Sequence, residues 1–410
     1  MSWNMYQDKV LDMVRFAKEN SPFYSAKYAA VDLQHLTEAE FHSLPIIRKS
    51  DLLGNERQLL VSAKEDDLSI ERTSGTTGAP LICYKSKKDV VMKGMDLWKL
   101  RKKWGDIAPS DRRADFYLYY DGKQIFTDNI YTKDSQIHLS PLDMSKDSLN
   151  RYYEALIQFD PAWIYAPASA IYIFADHLLE QGLDASRIKS LRYIECAGEM
   201  LFDYQREKIE KVFGPLVHSM YGTKENWCIA MSCNKGSLHL QEDRYYIEVI
   251  NSNEEGTGEL VVTDLQNKTW PLIRYWIGDL VSVSAATCDC GQSSPVLTLT
   301  GGRTQEYVQV HDWLCSPVLF HYRTSAINRK YGNCIRSFRV TQRAEEDFLI
   351  ELVPGTDYNE SIAHRLTTDL LEWLPQGVRL ELELHTHIDF KNNKFTYFQT
   401  YKRQQLISSN

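Results

Sequence analysis

Between residues 162 and 196 short apolar runs alternate with an amphipathic stretch, and no other feature of the chain constrains its fold as strongly. Ala162-Trp163-Ile164-Tyr165-Ala166 reads as a buried strand that stops at Pro167. Ala170 to Leu179 has helical spacing, and Leu191-Arg192-Tyr193-Ile194-Glu195-Cys196 reads as the next strand. Strand–helix–strand order of this kind joins parallel strands, so the expected class is α/β. The first sixty residues predict helices, with Val10, Met13, Val14 and Ala17 on one face and a stop before Pro22. Leu44 to Ile47 predicts an extended piece, followed by a helix with Ser50 as N-cap. From about Tyr245 the pattern becomes β, with strands at Tyr245–Val249 and Gly258–Thr263 joined by the turn-rich Asn251 to Gly256. Beyond Gly301-Gly302-Arg303 a helix around Ser316 to Lys330, strands at Ser337–Thr341 and Asp347–Val353, and a helix from Ile362 to Leu374 predict a small α+β domain.

At 410 residues the chain exceeds the usual single domain, so two unequal domains are expected. A net charge of -8 supplies no basic field for a phosphate backbone, which argues against nucleic acid. No apolar run approaches the roughly 20 residues that span a bilayer. The start, Met1-Ser2-Trp3-Asn4-Met5, lacks a signal-peptide pattern, and the expected location is the cytoplasm. Eight cysteines over this length do not make a disulfide scaffold; clustered ones read as metal ligands, the rest as buried thiols.

Thr73-Ser74-Gly75-Thr76-Thr77-Gly78-Ala79-Pro80 puts two glycines among four hydroxyl residues. Glycine lets the backbone approach an anion closely, and the hydroxyls add donors, so the segment suits a phosphate. No Gly-Lys-Ser/Thr closes it, which excludes a Walker loop. Together with Glu19 to Tyr24, Leu44 to Leu52, Ala197-Gly198-Glu199, Tyr221-Gly222-Thr223-Lys224-Glu225, Arg274 to Asp279 and Gly302-Arg303, all in order, the chain resembles the adenylate-forming superfamily (acyl-CoA synthetases, adenylation domains, luciferases). The likeness is strongest to its phenylacetate–CoA ligase and CapK-like branch.

The resemblance implies a large adenylate-forming domain, residues 1–303, with parallel-type sheets and a β-rich subdomain, and a small mobile C-terminal domain, 304–410, on a hinge near Gln305. It implies that Ser74, Gly75, Thr76, Thr77 and Gly78 cradle the ATP phosphates. Ala197, Gly198 and Glu199 would frame adenine, against which Tyr221 packs, with Gly222, Thr223 and Lys224 beside it. Glu225 would hold Mg²⁺, as a hard cation requires an oxygen ligand. Asp279 would accept hydrogen bonds from the ribose diol, and Arg303 would reach ribose or phosphate. Lys394, preferred to Lys391, would contact the carboxylate and α-phosphate; it, Glu225 and Thr76 form the expected catalytic set. Tyr119, Tyr120, Ala166, Pro167 and Gly222 are the expected substrate pocket.

Cys233 and His239, then Cys288-Asp289-Cys290-Gly291, supply three thiolates and an imidazole that suit a closed tetrahedral Zn²⁺ site of structural role. Several relatives in that branch look similar here. The alternative is four unrelated buried side chains.

The sequence departs from the family at Lys224, at Trp276-Ile277 and at Thr304 to Tyr307, and His311-Asp312-Trp313 stands where thioester-forming relatives carry glycine. The expected activity is ATP-dependent formation of an acyl-adenylate and pyrophosphate from an aryl or amino acid. Transfer to coenzyme A or a carrier-protein phosphopantetheine would follow. The alternatives are an amine or hydroxyl acceptor in secondary-metabolite or polysaccharide biosynthesis, and a non-catalytic nucleotide-binding accessory protein. A small carboxylic acid, a carrier protein and a second copy in a homodimer are the partners considered, without membrane or nucleic acid.

Overall fold

The computed structural model describes residues 3–33, 36–61, 67–72, 81–119, 128–214, 217–285, 287–301, 308–311, 313–315, 317–332, 334–386, 388 and 398–400. They group into two compact units. The first is drawn from Met1–Thr73, Leu81–Leu100 and Met220–Gly302, the second from Arg101–Ser219 and Arg303–Asn410.

In the first unit, helix Trp3–Asn20 buries Val10, Met13, Val14 and Ala17 along one face, and Pro22 opens the next helix, Pro22–Lys27, where its missing N–H costs nothing. Ser50 is not an N-cap. The one-turn helix Lys49–Leu52 starts two residues earlier, with Arg48 at the N-cap position, and Asp51 accepts the Arg48 backbone N–H at 2.7 Å. Leu44 to Ile47 is extended and stitches Ile47 to Tyr275 through a parallel bridge.

The β-character begins before Tyr245. Strands Val217–Thr223, Trp227–Ser232, Leu238–Leu240, Val296–Gly301, Tyr275–Ser284, Gly258–Asp264 and Tyr245–Ile250 lie side by side in that order, and every neighbouring pair is antiparallel. Leu238–Leu240 is too short, and Val217–Thr223 too rich in polar residues, to show an apolar period. Leu68–Arg72 and Ile82–Ser86 form a separate antiparallel hairpin. One core packs the N-terminal helices on Trp270, Leu272, Ile273 and Tyr275; a second lies around Ile229, Leu260, Val262 and Val281.

In the second unit, strands Tyr193–Ala197, Trp163–Ala166, Arg113–Asp115 and Gln136–Leu139 run parallel in that spatial order, and Ile130–Lys133 closes the edge antiparallel. Helices Lys146–Phe159 and Ala168–Glu180 connect them, as the strand–helix–strand alternation predicts. Ile137, Ala114, Ile164 and Ile194 share one register row and face the helices within the apolar cluster. The next row, His138, Asp115, Tyr165 and Glu195, faces the other way. The C-terminal part is a four-stranded sheet ordered Arg379–Leu384, Asp347–Pro354, Ile335–Ala344, Phe398–Thr400, with helices Val318–Tyr331 and Glu360–Leu371. Among the described residues no helix is long and apolar enough to cross a membrane.

Candidate functional site

In the first unit two pairs of motif residues meet, Tyr221 with Asp279 and Tyr275 with Glu225. Tyr221 and Asp279 lie on strands that are not neighbours, yet the Tyr221 hydroxyl donates to Asp279 Oδ2 at 2.6 Å. Gly278 delivers Asp279 at φ +86°, and a Cβ there would meet the Trp276 ring at 3.0 Å. Trp276 in turn carries the Arg48 guanidinium 4.3 Å from a ring centroid, so the departure at this position covers the turn. Arg274, at φ 50°, is buried and bonded to Glu248, with Nη2 to Oε1 at 2.8 Å, and to the His42 and Leu44 carbonyls. It braces the segment.

Glu225 is 8% exposed, and its Oε1 accepts the Tyr275 hydroxyl at 3.0 Å. Burial pushes the Lys49 pKa down, while the Glu225 charge pulls it back up, so an ammonium lies within electrostatic reach of this carboxylate. A hard carboxylate oxygen suits Mg²⁺, with Oε2 as the atom a cation would take. Lys224 is exposed, and its backbone carbonyl accepts Lys85 Nζ at 2.7 Å. Gly222 is sterically required: an added Cβ would stand 1.6 Å from the Trp227 carbonyl oxygen.

In the second unit the chain leaves Arg113–Asp115 toward one side of the sheet and Trp163–Ala166 toward the other. The carboxyl ends of such strands form the crevice where α/β sheets bind ligands. There the Tyr117 hydroxyl donates to the Ala197 carbonyl at 2.8 Å, and the Tyr117 and Tyr165 rings lie 5.1 Å apart. Glu199 accepts the Ser169 N–H at 2.9 Å and thereby caps helix Ala168–Glu180, where a negative charge is favoured. Gly198 takes φ +80°. Tyr119 stacks on Tyr131 at 4.9 Å and lies 4.8 Å from His138. Pro167 precedes the helix at the strand end, but Ala166 points into the apolar cluster. Strand alternation therefore puts Tyr165, and not Ala166, on the polar row.

Behind the crevice, Arg101 is bonded to Glu195 through Nε and Nη2 at 2.8 and 2.7 Å. Asp115 takes Arg113 Nε at 2.8 Å, and His138 Nδ1 stands 3.4 Å from its other oxygen. Burial raises the Asp115 pKa to about 6 and lowers that of His138 to about 4. Sequence reasoning missed Tyr117, Asp115 and His138; the alternation Asp115, Tyr117, Tyr119 was the available signal. Lys49, Lys85 and Tyr275 gave none, since their partners are distant in the chain.

Ser74, Gly75, Thr76, Thr77 and Gly78, with the whole of Thr73–Pro80, lie outside the described residues, as do Tyr120, Arg303, Gln305, Asp312, Lys391 and Lys394. His311 is exposed and takes φ 51°, the conformation that favours glycine. Of the cysteines expected as buried thiols, Cys83, Cys196 and Cys334 are buried and Cys228 is partly exposed; the Cys315 side chain is not among those described.

The Cys233, His239, Cys288 and Cys290 ligand atoms all lie within 4.8 Å of one another. Cys233 Sγ is 3.8 Å from Cys288 Sγ, and Cys290 Sγ is 3.3 Å from His239 Nε2. Thiolates bound at about 2.3 Å around a tetrahedral ion stand about 3.8 Å apart, so the donor set fits Zn²⁺. His239 Nδ1 is 2.9 Å from the Ser294 carbonyl, which leaves Nε2 as the ligand atom. Hydrogen bonds from Cys290 and Ser237 bring the Cys288 thiol down to about 6, toward the thiolate a metal needs.

No protein-family model matches the chain. It is 23% identical over 322 residues to the phenylacetate-coenzyme A ligase of Thermus thermophilus, covering 74% of this chain and 70% of the relative. It is 23% identical over 368 residues to protein CapK of Staphylococcus aureus, covering 85% and 78%. Among solved structures, 2-hydroxyisobutyryl-CoA ligase in complex with 2-HIB-AMP and CoA superposes with a TM-score of 0.64 at 17% identity, over 99% of this chain and 92% of that one.

Proposed function

We propose that this chain, whose fold is that of the adenylate-forming superfamily, is an AMP-forming ligase that activates a carboxylic acid with ATP and passes the acyl group to a thiol. One observation carries this reading: Tyr221 and Asp279 meet at 2.6 Å in the unit that also holds Glu225 buried against Tyr275. An aromatic face, a ribose acceptor and a cation ligand are the three groups a nucleotide triphosphate site needs. The named relatives, a phenylacetate-coenzyme A ligase and CapK, support the same reaction class.

In the first step a carboxylate oxygen attacks the α-phosphorus, the bond to the pyrophosphate oxygen breaks, and an acyl-adenylate remains. In the second a thiolate attacks the acyl carbon and AMP leaves. Glu225 would hold Mg²⁺, which offsets the charge growing on the phosphates. Thr76 and its neighbours would bind phosphate, Arg303 the ribose or phosphate, and Lys394 the carboxylate. Asp279 and Tyr221 orient the nucleoside. The Tyr117, Tyr119 and Pro167 surfaces at the carboxyl ends of the parallel strands favour an aryl or amino acid. Cys233, His239, Cys288 and Cys290 would hold a structural Zn²⁺ that pins two loops of the β-rich region.

Carboxylate-dependent ATP–pyrophosphate exchange tests the first step, with AMP and not ADP as the nucleotide product. Coenzyme A and a phosphopantetheinyl carrier are the two acceptor arms. If no acid of an aryl, aliphatic and amino-acid panel supports exchange, the reading fails.

A further inference from the structure

Lys85, on strand Ile82–Ser86, is only 1% exposed although it is charged. A buried ammonium persists where several acceptors surround it. Its Nζ donates to Glu71 Oε2 at 2.9 Å and to the Lys224 carbonyl at 2.7 Å, and it lies 4.6 Å from the Trp227 ring centroid. These partners belong to two different pieces of chain.

Glu71 lies on Leu68–Arg72, the antiparallel partner of Lys85's own strand, and the pair Arg72 with Ile82 closes the hairpin beyond it. Lys224 and Trp227 belong to the turn that carries Glu225. That turn is held in costly conformations. Trp227 sits at φ 64°, a left-handed position that non-glycine residues rarely take. The Asn226 N–H is spent on Thr223 Oγ1 at 3.1 Å, and the Tyr245 hydroxyl donates to the Asn226 carbonyl. Such conformations survive only where the surroundings over-determine them. Among the described residues, Lys85 bonds both the hairpin and the backbone of this turn.

We propose that Lys85 is a positioning residue of the adenylating site: its ammonium ties the Leu68–Ser86 hairpin to the Thr223–Trp227 turn and so sets the place of the Glu225 carboxylate. The assignment rests on the adenylating function. Lys85 touches no reacting atom in this scheme. It acts through the Lys224 carbonyl, and a hydrophobic side chain of equal length would leave that carbonyl unbonded.

The test is ATP–pyrophosphate exchange by the full chain, with ATP, Mg²⁺ and the acid varied in turn at saturating levels of the others. Wild-type protein silent with every acid would overturn the adenylating function and this assignment together. Given exchange, Lys85→Met is expected to lower the exchange kcat about a hundredfold, the loss that a displacement of about 1 Å can produce. The KM for the acid should not move. Lys85→Arg, which restores a cation, is expected to regain about tenfold of that loss. A Lys85→Met kcat within about threefold of wild type overturns the proposal and leaves adenylation standing. So does a Lys85→Arg variant as slow as Lys85→Met, because the lost contribution would then be packing. If Lys85→Met does not fold, Glu71→Gln, whose side chain is 25% exposed, takes its place. About a tenfold loss of kcat is then expected, and an unchanged rate overturns the proposal.

Discussion

The Tyr221 hydroxyl reaches Asp279 Oδ2 at 2.6 Å from a strand that is not its neighbour in the sheet. The phenol thus orients a carboxylate whose remaining acceptor capacity is available for a vicinal diol. Asp279→Ala should raise the KM for ATP between about tenfold and a hundredfold, since hydrogen bonds to a charged group contribute about 1.5–3 kcal/mol each. The KM for the acid should hold. Equal ATP KM values in wild type and variant would remove Asp279 from the nucleotide site.

The four metal-type ligands make a second prediction. Purified protein should contain one zinc per chain, and Cys290→Ser should lose it and unfold at lower temperature. Metal analysis with thermal unfolding checks both. Metal-free wild type, with an unchanged midpoint in Cys290→Ser, would reduce the cluster to four side chains that hold no metal.

Two glycines separate steric need from mere presence. A Cβ at Gly222 would overlap the Trp227 carbonyl at 1.6 Å, whereas nothing lies within 4 Å of one at Gly94, inside helix Lys87–Gly105. Gly222→Ala should therefore cost about 3 kcal/mol or more by overpacking. Gly94→Ala should add about 0.5–1 kcal/mol. Chemical denaturation measures the two, and a neutral Gly222→Ala would contradict the turn geometry.

His138 supplies a pH signature. Burial lowers its pKa from the ordinary 6.5 to about 4, next to Asp115 and Arg113. Between these values the unfolded chain takes up a proton that the native imidazole refuses. Its contribution is thus complete above about 6.5 and is lost as pH falls toward 4. The stability gap between wild type and His138→Gln should accordingly narrow from pH 7.5 to pH 5. Asp115, raised to about 6, acts in the opposite direction in both proteins and largely cancels in the difference. A gap that does not change with pH would mean that His138 titrates normally in the folded protein.

Ser50 and Ala166 illustrate where local patterning failed. Ser50 carries an N-cap side chain, but Asp51 accepts the free Arg48 N–H and the helix begins two residues earlier. Ala166 and Tyr165 both belong to the strand read from sequence. Which of them faces the helices depends on the pleat and register set by the neighbouring strands.

What the amino-acid sequence determined by itself was the α/β class, the strand–helix–strand run from Ala162 to Cys196 and the residue types that chemistry requires. Apolar periodicity, proline and glycine act over a few residues and need no tertiary context. The likeness of motifs in order, from Ala197 to Asp279, likewise survives without coordinates. The tertiary structure decided the pairings: Tyr221 with Asp279, Glu225 with Tyr275, and Lys85 with both Glu71 and the Lys224 carbonyl. Each joins groups that only folding brings within hydrogen-bond range. A hydrogen bond depends on distances of about 3 Å, to which sequence separation is blind.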